Sequence, residues 1–131
     1  MNRRYSREVA MKLLFQMGIN KEEVDTTVNE YLNLNVKESK GLDIDYVNRV
    51  LEGVEKNKEE IDSSIQEKLV KWKLDRISKV DLAILRECVY EILFEDDIPT
   101  KVSVNEAIEL SKKYSVESST KFINGVLGNF F

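Results

Sequence analysis

Apolar residues recur every three or four positions along most of the chain, and this spacing is typical of the buried face of an α-helix. We find no segment with the regular alternation of apolar and polar residues that marks an exposed β-strand. The pattern therefore predicts an all-α protein of about seven helices. The first two are expected from Arg3 to Met17 and from about Lys21 to Leu34.

A third apolar stripe begins at Ile44 and continues almost in phase as far as Trp72, and we expect it to break into two helices near Asn57. The most apolar segment runs from about Ile77 to Phe94, and a helix this apolar is normally central to the core. Two more helices are predicted after Pro99, which is the only proline.

Residues that favour helix ends predict several boundaries. Gly18 is expected to end the first helix in a left-handed conformation. Ser103 and Glu106 have the spacing of a capping box at the start of the sixth helix. Ser118 or Ser119 can cap the last helix.

Asp81 lies inside the apolar sector of the central helix, and Arg86 borders that sector. A carboxylate in such a place must be paired, because an isolated buried charge is strongly unfavourable. Two interpretations stay open. Asp81 pairs with a basic group inside the fold, or this end of the helix reaches a surface that docks another protein.

Composition narrows the possible functions. The chain has 131 residues, of which 42% are hydrophobic and 34% charged, as expected for one globular domain. It contains no apolar run of membrane-spanning length and no secretion signal, and its single cysteine, Cys88, excludes an internal disulfide. Histidine is absent, which removes the commonest general base and zinc ligand. We therefore expect a cytoplasmic protein that has no metal and is not an enzyme.

The charge is distributed unevenly. Residues 1–12 contain Arg3, Arg4, Arg7 and Lys12 against Glu8, a balance of +3. Since the net charge of the whole chain is −4, the remaining residues carry −7. A basic end on an acidic body indicates a local anion-binding site.

The first helix places these arginines beside apolar side chains. On a helical wheel Arg3, Arg4 and Arg7 border the core-facing sector. Met11 shares their sector, and Phe15 lies just past it. Arginine next to an exposed aromatic or thioether suits single-stranded RNA, because guanidinium groups bind phosphates while apolar side chains contact unpaired bases. The alternative is that a neighbouring helix buries Met11 and Phe15 while the arginines are merely solvated.

The last helix offers a second candidate region. Phe122 lies at the edge of its apolar sector beside Lys121, and Ser118 and Ser119 supply hydroxyl groups near a helix N-terminus, which can bind phosphate. The alternatives are a core phenylalanine, with Gly125 allowing close helix packing, and serines that only cap the helix. Trp72, between two lysines, is in phase with the preceding apolar stripe, which favours packing over base stacking.

Four segments together resemble the NusB family of bacterial transcription antitermination factors. In chain order they are RRYSREVAMKLLFQM, VDLAILRECVYEIL, IPTKVSVNEAIELSKKY and STKFINGVLGNF. The resemblance covers essentially the whole chain, although residues 18–74 match mainly by helix pattern.

The resemblance implies a single RNA-binding domain over residues 1–131, built from two small packed helical bundles. It also implies binding of boxA-type RNA as a heterodimer with the ribosomal protein NusE, within an RNA polymerase antitermination complex that acts notably on ribosomal RNA operons. No cofactor is implied. The RNA surface would include Arg3, Arg4, Arg7 and the segment Ser118 to Phe122, and the NusE surface the region of Asp81 and Arg86. The competing hypothesis is a protein-interaction module that does not bind RNA.

Overall fold

Seven α-helices and three short 3₁₀ turns make up residues 2–130, the part of the chain that the computed structural model describes, and no strand occurs in this range. None of these helices is both long and apolar enough to cross a membrane. The helices are α1 (Arg3–Asn20), α2 (Val24–Leu34), α3 (Ile44–Lys56), α4 (Lys58–Glu67), α5 (Lys79–Phe94), α6 (Thr100–Tyr114) and α7 (Glu117–Leu127). The all-α prediction and the count of seven are confirmed.

The helices form two small bundles that share α5. In the first bundle α1, α2 and α3 pack against one another, and in the second α6 and α7 pack against each other and against α5. Helix α5 also packs against α1, α3 and α4, so it lies at the centre of the molecule. Its buried apolar residues explain this position, because a helix that is apolar over half its circumference needs partners on several sides. They include Ala83, Ile84, Leu85, Cys88 and Val89.

The end of α1 differs from the prediction. Gly18 lies inside the helix, which continues to Asn20, and Lys21 takes the left-handed conformation with φ 58°. Its backbone N–H donates to the carbonyl of Met17 at 2.9 Å and closes the helix. Helix α2 consequently starts at Val24 rather than near Lys21. A non-glycine residue can supply this cap when its local hydrogen bond offsets the modest strain.

The predicted break near Asn57 is confirmed. Helix α3 ends at Lys56 and α4 begins at Lys58, with Asn57 between them. The side-chain amide of Asn57 donates to the carbonyl of Gly53 at 2.9 Å, which satisfies an acceptor that the helix end leaves free. The break turns the second half of the apolar stripe toward α5, where Ile61 and Ile65 are fully buried.

The prediction of a capping box at Ser103 is wrong. Helix α6 starts three residues earlier, at Thr100 directly after Pro99, and Ser103 is buried inside it. The hydroxyl of Ser103 donates to Glu91 on α5 instead of capping a helix. Proline at the helix boundary explains the earlier start, since its fixed φ suits helix entry and it needs no N–H partner.

Gly53 marks the closest approach of α3 to α5, and its replacement by alanine tests this contact. A Cβ atom at Gly53 would lie 2.2 Å from Cε1 of the buried Tyr90 ring. We expect Gly53→Ala to lower the free energy of unfolding by about 2 kcal/mol, as overpacked cores do. Urea unfolding followed by circular dichroism measures the change.

Gly125 provides the matched control, since a Cβ atom there would meet no atom of residues 2–130 within 4 Å. We expect Gly125→Ala to be neutral or to stabilise α7 by up to about 1 kcal/mol. Equal stability of the two variants would show that α3 and α5 can separate without cost. The open space at Gly125 also shows that this glycine does not serve close helix packing.

Candidate nucleic-acid interface

Two of the residues expected on the RNA-binding surface of α1 are buried. Arg7 is 5% exposed and Met11 is 2% exposed. The guanidinium of Arg7 donates to both carboxylate oxygens of Glu91, with Nε–Oε2 at 2.6 Å and Nη2–Oε1 at 3.1 Å. The expectation that Arg7 and Met11 lie at the surface is therefore wrong, because α3, α5 and α6 cover this side of α1.

Glu91 is the centre of a buried polar network. Besides Arg7, it accepts hydrogen bonds from the hydroxyl of Tyr46 on α3 and from the hydroxyl of Ser103 on α6. The network reaches the surface through Glu106, whose Oε1 is 3.3 Å from Nη1 of Arg7. Burial disfavours the charged guanidinium, but the hydrogen bonds and charge of Glu91 outweigh it, so the pKa of Arg7 is raised. The network connects helices of both bundles.

Glu87 lies one turn before Glu91 and is fully buried. Its Oε2 atom has no hydrogen-bond partner within residues 2–130. Burial, and next the negative charge of Glu91, raise the pKa of the Glu87 carboxyl well above its ordinary value of 4.5. The protonated form of Glu87 is therefore favoured in the folded protein.

Arg4 is the arginine of α1 that the structure leaves at the surface. Its side chain is 76% exposed and makes a two-point contact with Glu106, at 3.0 and 2.9 Å. Arg4 borders a groove of about 350 Å³ between α1 and α6, which Lys112 and Lys113 also line. Arg3 is more confined: it contacts Asp43 at 3.3 Å, and its guanidinium lies over the ring of Tyr46.

The start of α7 is exposed but is not capped by the serines. The helix begins at Glu117, after Val116, and no side chain caps it. Ser118 and Ser119 lie in the first turn, Ser118 exposed and Ser119 half-buried, where backbone N–H groups have no acceptor within the helix. The predicted cap is therefore wrong, while hydroxyl groups and free N–H groups remain together at this helix end.

Lys121 and Phe122 follow on the next turn of α7. The Lys121 side chain is exposed, and its amine lies 4.0 Å from Glu117, the outer limit of an ion pair. Phe122 is half-buried and contacts the indole of Trp72, with ring centroids 6.4 Å apart and planes inclined by 67°. The expectation that Trp72 packs in the core is wrong, because this residue is 55% exposed.

Asp81 is paired inside the fold. It is buried, and its Oδ1 accepts a hydrogen bond of 2.6 Å from the hydroxyl of Ser115 in the turn between α6 and α7. Of the two interpretations offered by the sequence, internal pairing is the one observed, although the partner is a hydroxyl group and not a cation. Asp81 thus connects the start of α5 to the segment that leads into α7.

Arg86 and Phe15 line the same groove, which has a volume of about 590 Å³. Leu82 of α5 also lines this groove, and Arg86 is paired with Asp62 of α4 at 2.8 Å. Phe15 is eleven residues beyond Arg4 on α1, which corresponds to about 16 Å along the helix axis. The structure therefore separates Phe15 from Arg4 and places it beside a residue expected to contact a protein partner.

Among residues 2–130, no group of three or more histidine, cysteine or carboxylate side chains is placed to hold a metal ion. Cys88 is buried, and burial raises the pKa of its thiol well above the ordinary value, which opposes formation of a reactive thiolate. The accessible groups described above include cations, hydroxyls, backbone N–H groups and aromatic rings, together with carboxylates such as Glu106 and Glu117 that pair with the cations. These groups can bind an anionic polymer with unpaired bases.

The sequence profile of the NusB family matches residues 4–131. The chain belongs to the NusB family. A transcription antitermination protein NusB of Clostridium novyi (strain NT) is 57% identical to it over 129 residues, which are 98% of this chain and 97% of the relative. A NusB protein of Clostridium botulinum (strain Loch Maree / Type A3) is 55% identical, and the match covers 98% of this chain and 98% of the relative.

Solved NusB structures have the same fold. The NusB of T. maritima superimposes with a TM-score of 0.85 at 38% identity, over 98% of this chain and 89% of that chain. A structure of the antitermination factors NusB and NusE in complex with dsRNA gives a TM-score of 0.85 at 27% identity, over 97% of this chain and 93% of that chain. The all-α fold expected from the resemblance is therefore confirmed.

Sequence reasoning missed three accessible residues of this NusB-family chain. Lys112 and Lys113 belong to one of the segments that carry the resemblance, and their proximity to Arg4 depends on how α6 crosses α1. The helical spacing from Ile65 to Trp72 favours packing of Trp72. Helix α4 ends at Glu67, however, so this spacing does not describe the loop that contains Trp72. A helix-ending signal after Glu67 could have corrected this, yet residues 68–73 contain neither glycine nor proline.

Proposed function

We propose that the chain is a transcription antitermination factor that binds boxA-type single-stranded RNA jointly with NusE and promotes read-through by RNA polymerase, notably in ribosomal RNA operons. We also propose that the protein acts in the cytoplasm and catalyses no reaction. The supporting observation is the match over nearly the whole chain to proteins named for antitermination, together with a solved structure of the antitermination factors NusB and NusE in complex with dsRNA.

The proposed RNA surface has two parts. One is the groove between α1 and α6, where Arg4 is joined by Lys112 and Lys113. Each of these cations pairs with a carboxylate of the groove, Glu106, Glu109 or Glu8, which a phosphate would displace. The other is the start of α7, with Ser118, Ser119, Lys121 and Phe122. The two parts are near each other, since the hydroxyl of Ser111 on α6 donates to that of Thr120 on α7 at 3.0 Å. Arg3 lies at the edge of this surface. Arg7 is buried beneath the surface, where its contact with Glu106 holds that carboxylate in position.

The proposed NusE surface is the larger groove, which Phe15, Leu82 and Arg86 line. It combines apolar side chains of α1 and α5 with charged side chains of α2, α3, α4 and α5, which suits a protein partner with both apolar and charged groups. Asp81 does not line this groove, and we assign it the task of positioning the start of α7 through Ser115. Binding at the groove and binding of RNA then involve opposite ends of α1.

Arg4→Ala tests the RNA surface. We expect the affinity for a labelled single-stranded boxA RNA to fall about fivefold, equivalent to about 1 kcal/mol, because Arg4 must leave Glu106 to reach a phosphate. The dependence of log K on log salt should also become less steep by about 0.7, the value for one single-strand phosphate contact. Fluorescence anisotropy titrations with and without NusE measure both quantities.

Arg49→Ala is the matched control. Arg49 is also exposed and also makes a two-point contact with one carboxylate, that of Glu95, but it lies on α3 outside the proposed surface. Equal losses for Arg4→Ala and Arg49→Ala would contradict the proposed location. Binding of NusE without any RNA binding would instead favour a protein-interaction module. Arg3, Arg4 and Arg7 all pair with carboxylates of the same chain, and this pairing is the observation that favours such a module.

A further inference from the structure

Trp72 is the only tryptophan of the chain, and its exposed ring extends from a loop whose backbone is hydrogen-bonded to α4. The side-chain amide of Gln66 donates to the carbonyl of Trp72 at 3.0 Å and accepts from the N–H of Leu74 at 2.9 Å. The loop between α4 and the 3₁₀ turn at residues 74–76 is therefore tied to the end of α4 on both sides of Lys73. A large ring that is half exposed loses little conformational freedom on binding when its backbone is already fixed.

The surroundings of Trp72 continue the proposed RNA surface. Its ring makes an edge contact with Phe122, which follows Lys121 on α7. An edge-to-face contact covers at most one face of the indole, and the exposed fraction of 55% requires that other parts of the ring are open. Two aromatic rings from different elements thus meet at the start of α7.

Two lysines beside Trp72 have no ion pair within residues 2–130. Lys71 and Lys73 flank Trp72 and are exposed, and in the described residues neither amine lies within 4.0 Å of a carboxylate. This differs from α1, where Arg3, Arg4 and Arg7 all pair with acidic side chains of the same chain. A phosphate can therefore approach Lys71 or Lys73 without breaking an existing ion pair.

We propose that Trp72 is a base-stacking residue for single-stranded RNA, with Phe122 beside it and Lys71, Lys73 and Lys121 contacting the adjacent phosphates. The assignment rests on the proposed RNA-binding function and extends its surface from α7 onto the loop after α4. Single-stranded RNA is the occupant because every unpaired base has a flat face for the indole, and the lysines on either side match a phosphate backbone. An apolar protein surface would leave these lysines unmatched.

The intrinsic fluorescence of Trp72 provides a direct test. Titration of the NusE complex with unlabelled single-stranded boxA RNA should quench the tryptophan emission, and the quenching should saturate at the same concentration as the anisotropy of the labelled RNA. Trp72→Ala should lower the affinity about tenfold, the effect typical of losing one stacked base, while leaving the salt dependence unchanged. Trp72→Phe should retain most of the affinity, because a flat ring remains.

Val70→Ala is the control for a general effect of the loop, since Val70 is even more exposed than Trp72 and lies two residues away. It should bind RNA as the unmodified protein does. Lys71→Ala should show the opposite signature to Trp72→Ala, with a salt dependence less steep by about 0.7. Circular dichroism in urea checks that all variants remain folded, as expected for exposed positions.

The outcomes separate this inference from the proposed function. If labelled RNA shows no anisotropy change with or without NusE, the proposed function itself fails. If RNA binds but the emission is unchanged and Trp72→Ala binds normally, only the stacking role is overturned. Equal quenching by duplex RNA, whose bases are already stacked, or quenching by NusE alone would also overturn it.

Discussion

Glu91→Gln is expected to lower the free energy of unfolding by about 3 to 5 kcal/mol, the usual cost of leaving one member of a buried ion pair without its partner. Arg7 would stay buried with the longer contact to Glu106 as its remaining ion pair, and the hydroxyls of Tyr46 and Ser103 would share a weaker acceptor. This cost is a large part of the total stability of a domain, about 5 to 15 kcal/mol. Urea unfolding at low temperature, followed by circular dichroism, measures it.

Two comparisons make the test specific to the buried pair. Glu106→Gln removes the outer carboxylate of the same network and should cost less than Glu91→Gln, since Arg4 is solvated and Arg7 keeps its pair with Glu91. The double replacement Arg7→Met with Glu91→Gln should recover part of the stability that Glu91→Gln loses, because no charge is then buried. A cost below 1 kcal/mol for Glu91→Gln would show that water reaches Arg7.

Glu87→Gln is expected to change how stability depends on pH. The folded protein favours protonated Glu87, whereas the unfolded chain releases this proton near pH 4.5, so the folded state holds more protons above that pH. Stability should therefore fall as pH rises, by up to about 1.4 kcal/mol per pH unit, until the pH passes the raised pKa of the folded state. Glutamine cannot ionise, so the variant should gain stability relative to the unmodified protein as the pH rises from 4.5 toward the raised pKa of the folded state.

Urea unfolding at a series of pH values measures this difference. Glu60→Gln is the control, because Glu60 is an exposed carboxylate on α4 and its replacement should leave the profile parallel to that of the unmodified protein. A constant difference between Glu87→Gln and the unmodified protein across this range would contradict the prediction. It would mean that Glu87 is ionised in the fold, for example through water that enters beside Glu91.

The helices could be predicted well from the sequence because each carries its own apolar stripe. The break at Asn57 and the central position of α5 depend on local pattern and on how much of the helix is apolar, and both were predicted correctly. The ends of α1 and α6 were not, since Gly18 and Ser103 are common helix-ending residues that here lie inside helices. Tertiary packing decides such positions over local preference.

The residues of the candidate site were harder to predict, since a helical wheel gives directions and not neighbours. It placed Arg4, Arg7 and Met11 near one another on α1 but could not show that α5 and α6 cover two of them. A signal was present in Glu87 and Glu91, two carboxylates four residues apart in the most apolar helix. Acids at such positions require buried partners, and the arginines of α1 were among the cations available to them.

The sharing of α5 by both bundles has a consequence for variants in living cells. Since neither bundle has a complete core without α5, the RNA surface and the partner groove should form and melt together in one cooperative step. A substitution such as Glu91→Gln would then leave intact molecules fully competent and reduce only their number, more severely as temperature rises. Defects of this kind are temperature-sensitive and can be rescued by making more protein, unlike the loss of a contact such as Arg4.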